Sequence, residues 1–258
     1  MGAALALLAQ TAIAHEYWIA PESFRVEPGE RIQARLLVGQ MMEGTELPWL
    51  SHQIRSFEIS TPQGAVEVQG LEGDLPALSY VPEVPGLHVI AHETFPLELT
   101  FDTLEEFEEY LDYEGLGAII EAHLRRSLPK TDITEAYARS AKALVQVGPV
   151  RPDDADRPLG LAFELVALAN PYAGGETLPV RLLWQGQPEA GTQISIFRKN
   201  ADVDRSLVLT DADGRAEIPL AGGGEFLLNA VHIEPVEGEE HVWASTWASL
   251  SFGIGKRD

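Results

Sequence analysis

Residues 178–198 read Leu178-Pro179-Val180-Arg181-Leu182-Leu183-Trp184, then Gln185-Gly186-Gln187-Pro188-Glu189-Ala190-Gly191, then Thr192-Gln193-Ile194-Ser195-Ile196-Phe197-Arg198. Two short apolar runs joined by a Gly- and Pro-containing turn are the signature of strands in an antiparallel protein. Similar runs surround this pair: Leu159–Leu168, Leu207–Thr210, Ala216–Leu220, Glu225–Val231 and Val242–Phe252. Thr210-Asp211-Ala212-Asp213-Gly214 supplies another tight turn. Short strands at this spacing predict an immunoglobulin-like or prealbumin-like β-sandwich over residues 159–254.

The first half has the same texture. Trp18–Val26, Arg31–Val38, Ile54–Ser60, Ala65–Val68 and Leu87–His92 are strand candidates. In the second of these, Ile32, Ala34, Leu36 and Val38 alternate onto one face. From Thr103 the period changes. Thr103 and Glu106 have capping-box spacing, and Leu104, Phe107 and Leu111, then Leu116, Ile119, Ile120 and Leu124, recur at helical intervals. Gly115 and Gly117 divide two helices, and Thr134–Val145 is expected to form a third, with Tyr137, Ala141, Leu144 and Val145 inward. The expected organisation is mainly β: a sandwich over 15–147 carrying a helical segment at 102–146, a Pro- and Asp-rich linker at 148–158, and the second sandwich.

Ahead of this lies an apolar run, Ala3–Ala9, followed by Ala12-Ile13-Ala14, the small-x-small pattern behind which signal peptidase cuts. The expectation is export to the periplasm, with residues 1–14 as signal peptide and no membrane insertion of the mature chain, since no later apolar stretch approaches the ~20 residues of a membrane span. Forty acidic against eighteen basic residues give a formal charge of −22, which argues against nucleic acid or anionic lipid as a partner. Without cysteine there are no disulfides, no lipid anchor and no thiol chemistry.

Cleavage behind Ala14 leaves His15 as the first residue, whose α-amine and Nδ1 can close a six-membered chelate ring on one metal ion. Amine and imidazole donors suit Ni, Co, Cu or Zn as divalent ions. The other candidate ligands are histidines. His92 lies where sheet gives way to helix. His88 shares its strand face, but roughly 13 Å away at strand rise. His123 is on the second helix, and His232 ends a strand of the second sandwich. His52 and His241 fall in loops. Met41-Met42 reads as packing, and the acidic helix Glu105–Glu114 as a solvated face. Asp211–Gly214 lacks the distal Glu of a calcium loop, since Gly222 stands there.

Several segments resemble the DUF4198 family of exported bacterial proteins: His15-Glu16-Tyr17-Trp18-Ile19-Ala20-Pro21, Glu135-Ala136-Tyr137-Ala138-Arg139, Glu164-Leu165-Val166 with Asn170-Pro171, the turn Gly186–Gly191, and Trp243–Phe252. The resemblance implies a periplasmic component of cobalt or nickel uptake, partnered by an outer-membrane receptor or a membrane metal-uptake system. The function expected is therefore transition-metal binding for uptake or delivery, without catalysis. Gly-x-Ser-x-Gly, His-Glu-x-x-His, phosphate-loop and dinucleotide motifs are all absent. Two alternatives remain open. A copper histidine-brace oxidative enzyme would need His15, a second histidine and an open surface flanked by Tyr17, Trp18 or Trp49. A metal-free adhesion or carbohydrate-binding module would need neither.

Overall fold

A computed structural model describes residues 15–237 and 240–255. The expected signal peptide therefore lies outside the described residues. The chain is mainly β. The first half contains β1 (Glu16–Pro21), β2 (Arg25–Val26), β3 (Ile32–Gln40), β4 (Glu43–Leu47), β5 (Ile54–Thr61), β6 (Gly64–Glu67), β7 (Leu78–Tyr80), β8 (Gly86–Thr94) and β9 (Leu97–Thr103). Helices α1 (Leu104–Tyr113) and α2 (Ala118–Arg125) lead into β10 (Thr131–Val147). There follow β11 (Phe163–Ala167), β12 (Thr177–Trp184), β13 (Gln187–Pro188), β14 (Gln193–Lys199), β15 (Val203–Leu209), β16 (Arg215–Pro219), β17 (Gly224–Pro235) and β18 (Trp243–Ile254). Among the described residues, no helix is long and apolar enough to cross a membrane.

The backbone of the molecule is one large sheet in the order β15-β14-β17-β18-β10-β8-β5-β6, with β2 and β9 also paired to β10. This sheet runs across the boundary that composition places at 148–158, because β10 pairs in parallel with β18, from Glu135↔Trp243 to Ala143↔Ser251. Its two faces carry different covers. Leu144, Ile194, Ile196, Phe226, Leu228, Leu250 and Phe252 pack against Phe163, Leu165, Val180 and Leu182 of a second sheet built from β11, β12, β13 and β16. On the opposite face Ile90, Ala141, Ala143 and Val145 pack against Tyr17, Ile19, Ile32, Ala34 and Leu36 of a third sheet, β1-β3-β4 with β7. The helices cover the rest of that face, Phe107, Tyr110 and Leu111 meeting Val231, Trp243 and Trp247. The two smaller sheets thus stand on opposite faces of one shared middle layer.

Helix signals are obeyed where they are local. Thr103 caps α1 by accepting from the Glu106 amide at 3.2 Å, and Gly115 and Gly117 separate α1 from α2. The third expected helix does not form: Thr134–Val145 lies inside the seventeen-residue strand β10. From Ser140 to Val147 every residue of β10 is buried. A strand covered on both faces loses the two-residue alternation that marks most strands. The expected linker also differs, because Asp154 and Asp156 are buried within it.

Candidate functional site

β1 carries the polar residue Glu16 in an otherwise apolar strand, and Glu16 is 1% exposed. Alternation puts Glu16 and Trp18 on one side of the strand, opposite Tyr17 and Ile19. Beneath Glu16 the central sheet presents a transverse polar row, Ser195 on β14, Asn229 on β17 and Ser249 on β18, in register as Ser195↔Asn229 and Asn229↔Ser249. The end of α1 closes the space with Tyr113 and Glu114. The Tyr113 hydroxyl donates to Glu16 Oε1 at 3.3 Å, and Asn229 Nδ2 donates to Glu114 Oε2 at 3.4 Å.

The other oxygens of this cluster have no hydrogen-bond partner: Glu16 Oε2, Glu114 Oε1, Asn229 Oδ1 and Ser249 Oγ are all buried and unpaired. Buried polar atoms are nearly always satisfied, so four orphan oxygens on neighbouring residues call for an explanation. The neighbouring cation does not supply it. Arg205 stacks on the Tyr113 ring at 3.7 Å and donates to the Tyr113 carbonyl and Ser195 Oγ, with no ion pair to either carboxylate. Burial pushes Glu16 up to about 7, against weaker opposing pulls from hydrogen bonds and Arg205. It pushes Glu114 to about 8, with repulsion from Glu16 adding to the rise. Two acids here either keep protons near neutral pH or meet a cation. Under Tyr110 of α1, Glu135 of β10 is fully buried, accepts from Ser245 and, at 3.5 Å, from Tyr110, and is likewise pushed to about 7 by burial.

The β3–β4 hairpin frames the site. Met41 and Met42 both take positive φ, 53° and 58°, as in a two-residue type I′ turn, and the Met41 backbone amide is among the groups favouring ionised Glu16. Gly39, paired with Glu16 across β1 and β3, leaves no room for a side chain, because a Cβ there would sit 2.0 Å from the Glu43 carbonyl oxygen. Gly39→Ala should therefore force the hairpin apart and cost about 1–3 kcal/mol, measured by urea unfolding.

The five histidines singled out from sequence are scattered, and among the described residues no two touch. His15 is half-buried at the entry to β1. His88 and His92 do share a face of β8, which is the covered face over the third sheet. His88 is 1% exposed with Nδ1 3.2 Å from the Gly86 carbonyl. His92 is 2% exposed, with Nδ1 3.1 Å from the Tyr17 hydroxyl; burial, and then the charge of Arg139, lower it to about 3. With Arg139 beside it and no carboxylate lining the same space, His92 is poorly placed to hold a divalent cation. His123 is wedged between the Pro129 carbonyl and the Trp243 indole N–H, at 2.7 and 3.0 Å. His232 stacks on Trp184 at 4.0 Å and lies 2.8 Å from Glu189. Among the described residues, no three His, Asp or Glu side chains are grouped to hold a metal. Tyr17, Trp18 and Trp49, the surface aromatics required by the copper-oxygenase alternative, are buried.

The sequence profile of the family described as a domain of unknown function, DUF4198, matches residues 12–234. The chain belongs to the DUF4198 family. No curated protein sequence matches this DUF4198 chain. Among solved structures, a Salmonella alpha-2-macroglobulin aligns at 14% identity and TM-score 0.24, covering 95% of this chain and 15% of that one. The D0–D1 domain of intimin aligns at 12% identity and TM-score 0.21, covering 92% and 97%. Likenesses at these TM-scores carry no argument about this DUF4198 protein.

Glu16, Glu114, Asn229, Ser249 and Arg205 are the residues that reading for histidines passes over. A sequence signal for two of them exists: Glu16 and Asn229 each interrupt an otherwise apolar strand, EYWIAP and FLLNAV.

Proposed function

We propose that this protein binds a divalent transition-metal ion of the nickel and cobalt class at the N-terminal end of β1, and serves its uptake or delivery in the periplasm. The observation that carries the reading is the pair of buried carboxylates Glu16 and Glu114, each with one oxygen unpaired and neither ion-paired. With Asn229 Oδ1 and Ser249 Oγ they offer oxygen donors only. His15 is not grouped with the two carboxylates in this structure, so the reading requires the freed N-terminal residue, once the chain is cut behind Ala14, to turn its α-amine and ring toward them. A mixed nitrogen and oxygen set suits Ni(II), Co(II), Zn(II) or Cu(II), and the chain has no cysteine to supply a soft thiolate. His15 and the two carboxylates are the ligands of this reading, and His88, His92, His123 and His232 are not needed.

The test is calorimetric titration of Ni(II), Co(II), Cu(II) and Zn(II) into protein beginning at His15, beside a form with one extra N-terminal residue and the variants Glu16→Gln and Glu114→Gln. Micromolar or tighter binding, weakened at least tenfold by the extension and by each Gln variant, is the expected result. Binding unchanged by all three places the site elsewhere. Absence of binding to any form leaves Glu16 and Glu114 as a protonated structural pair and the metal-free module in front.

A further inference from the structure

On the other side of β1 the chemistry is reversed. Arg139 projects from β10 between the rings of Tyr17 and Tyr137, its guanidinium carbon 4.9 Å from each centroid. Among the described residues it has no ion-pair partner, in a chain that carries 40 acidic residues. The nearest acid in the adjoining strand, Glu93, points through to the opposite face, where it accepts from Ser140 and the Ala162 amide. Beside Arg139 is a cavity of about 20 Å³ bounded by Tyr17, His92, Gln53 and Thr94 and by the apolar side chains of Leu36, Leu47 and Ile54. That is space for one water-sized particle.

His92 turns this space into a donor site. Its ring is buried and neutral, and its Nε2 has no partner. When Nδ1 accepts the Tyr17 proton, the ring's own proton is on Nε2. His92 with its imidazole N–H and Arg139 with its guanidinium then line a space that Gln53 also lines and that no carboxylate borders. Such a set attracts a negative charge and rejects a metal ion. The space suits a particle the size of a water molecule or a monatomic ion.

We propose that Arg139, His92 and Gln53 form a binding site for one halide ion, chloride in a saline exterior, at the seam between the β1-β3-β4 sheet and the central sheet. The ion supplies the counter-charge that Arg139 otherwise lacks. It joins β1 and the β4–β5 segment to β8 and β10. The site is independent of the carboxylate pair on the opposite side of β1.

The experiment is thermal unfolding in sodium chloride, bromide and gluconate at equal ionic strength, together with bromide anomalous diffraction from crystals of the full mature chain. Chloride and bromide should raise Tm by about 5 °C over gluconate and saturate, since a ligand at one hundred times its Kd stabilises only the folded state by a fixed increment. An anomalous peak should stand within contact of Arg139, and Arg139→Gln should lose the halide response. Equal melting in all three salts with no peak beside Arg139 would mean a water molecule fills the space, and the proposal fails. A halide response retained in Arg139→Gln, or a peak elsewhere, also overturns it.

Discussion

Replacing Lys142 by methionine should destabilise the protein by about 3–5 kcal/mol, the cost of stranding buried charges without their partner. Lys142 sits on β10 facing the β11-β12 sheet and is 0% exposed. Its ammonium donates to both oxygens of Asp156, at 2.8 and 2.9 Å, and to Glu164 Oε1 at 3.0 Å. Each acid is also held by backbone amides, Asp156 by Ala167 and Arg157, Glu164 by Leu159 and Gly160. The triad thus fixes the 148–158 crossing and the start of the second sandwich to the shared middle strand. Removing the lysine leaves two carboxylates about one hydrogen-bond length from its former position, with no cation and no route to water. For a chain of this length the loss corresponds to a fall in Tm of about 10 °C. Urea unfolding at pH 7 measures it. The triple variant Lys142→Met, Asp156→Asn, Glu164→Gln should recover much of the loss, since it removes the charges together. If Lys142→Met unfolds within 1 kcal/mol of the parent, the triad is not what couples the two halves.

The same strand shows where sequence reading succeeds and where it stops. Strands with one face covered announce themselves: Ile32, Ala34 and Leu36 alternate and all three enter the core, and Thr103 with Glu106 starts α1 as the spacing requires. β10 does not, because from Ser140 onward both of its faces are buried and its alanines, Ala136, Ala138, Ala141 and Ala143, change face midway. Its role as common strand of both sandwiches is set by pairing with β18, about a hundred residues away, which no local pattern records. The candidate site was half legible. His15 is recognisable from the cleavage pattern, whereas Glu114 belongs to an acidic run whose other members are solvated. Only the contacts made at the end of α1, Tyr113 with Glu16 and Glu114 with Asn229, single it out.

Stability of the metal-free protein should be greatest near pH 4 and fall by several kcal/mol as pH rises from about 4.3, where unfolded glutamates release their protons, to about 8, the highest of the folded values. The sign follows from which state binds the proton. Glu135 keeps its proton to about pH 7 in the fold, while an unfolded glutamate releases it near pH 4.3, so the stability this group contributes at low pH is lost as pH rises through about 7. That term amounts to about 3 kcal/mol. Glu16 and Glu114 add losses of the same sign, completed near pH 7 and 8. His92 works on the acid side. It stays neutral in the fold down to about pH 3 while the unfolded ring protonates near 6.5, so its contribution is whole above 6.5 and fades as pH falls. Chemical unfolding from pH 4 to 8.5 gives the profile, and Glu135→Gln should make its alkaline limb shallower. The carboxylate pair separates structure from function in this experiment. If Glu16 and Glu114 hold a cation, saturating Ni(II) at pH 8 should restore the share of stability that those two acids lose. It should leave the Glu135 share lost, because Glu135 lies under Tyr110 with Ser245 as its partner and offers a cation no second carboxylate. Full restoration would mean that the metal stabilises the fold at a different place. No restoration, with the alkaline loss intact, would mean that protons alone occupy the pair.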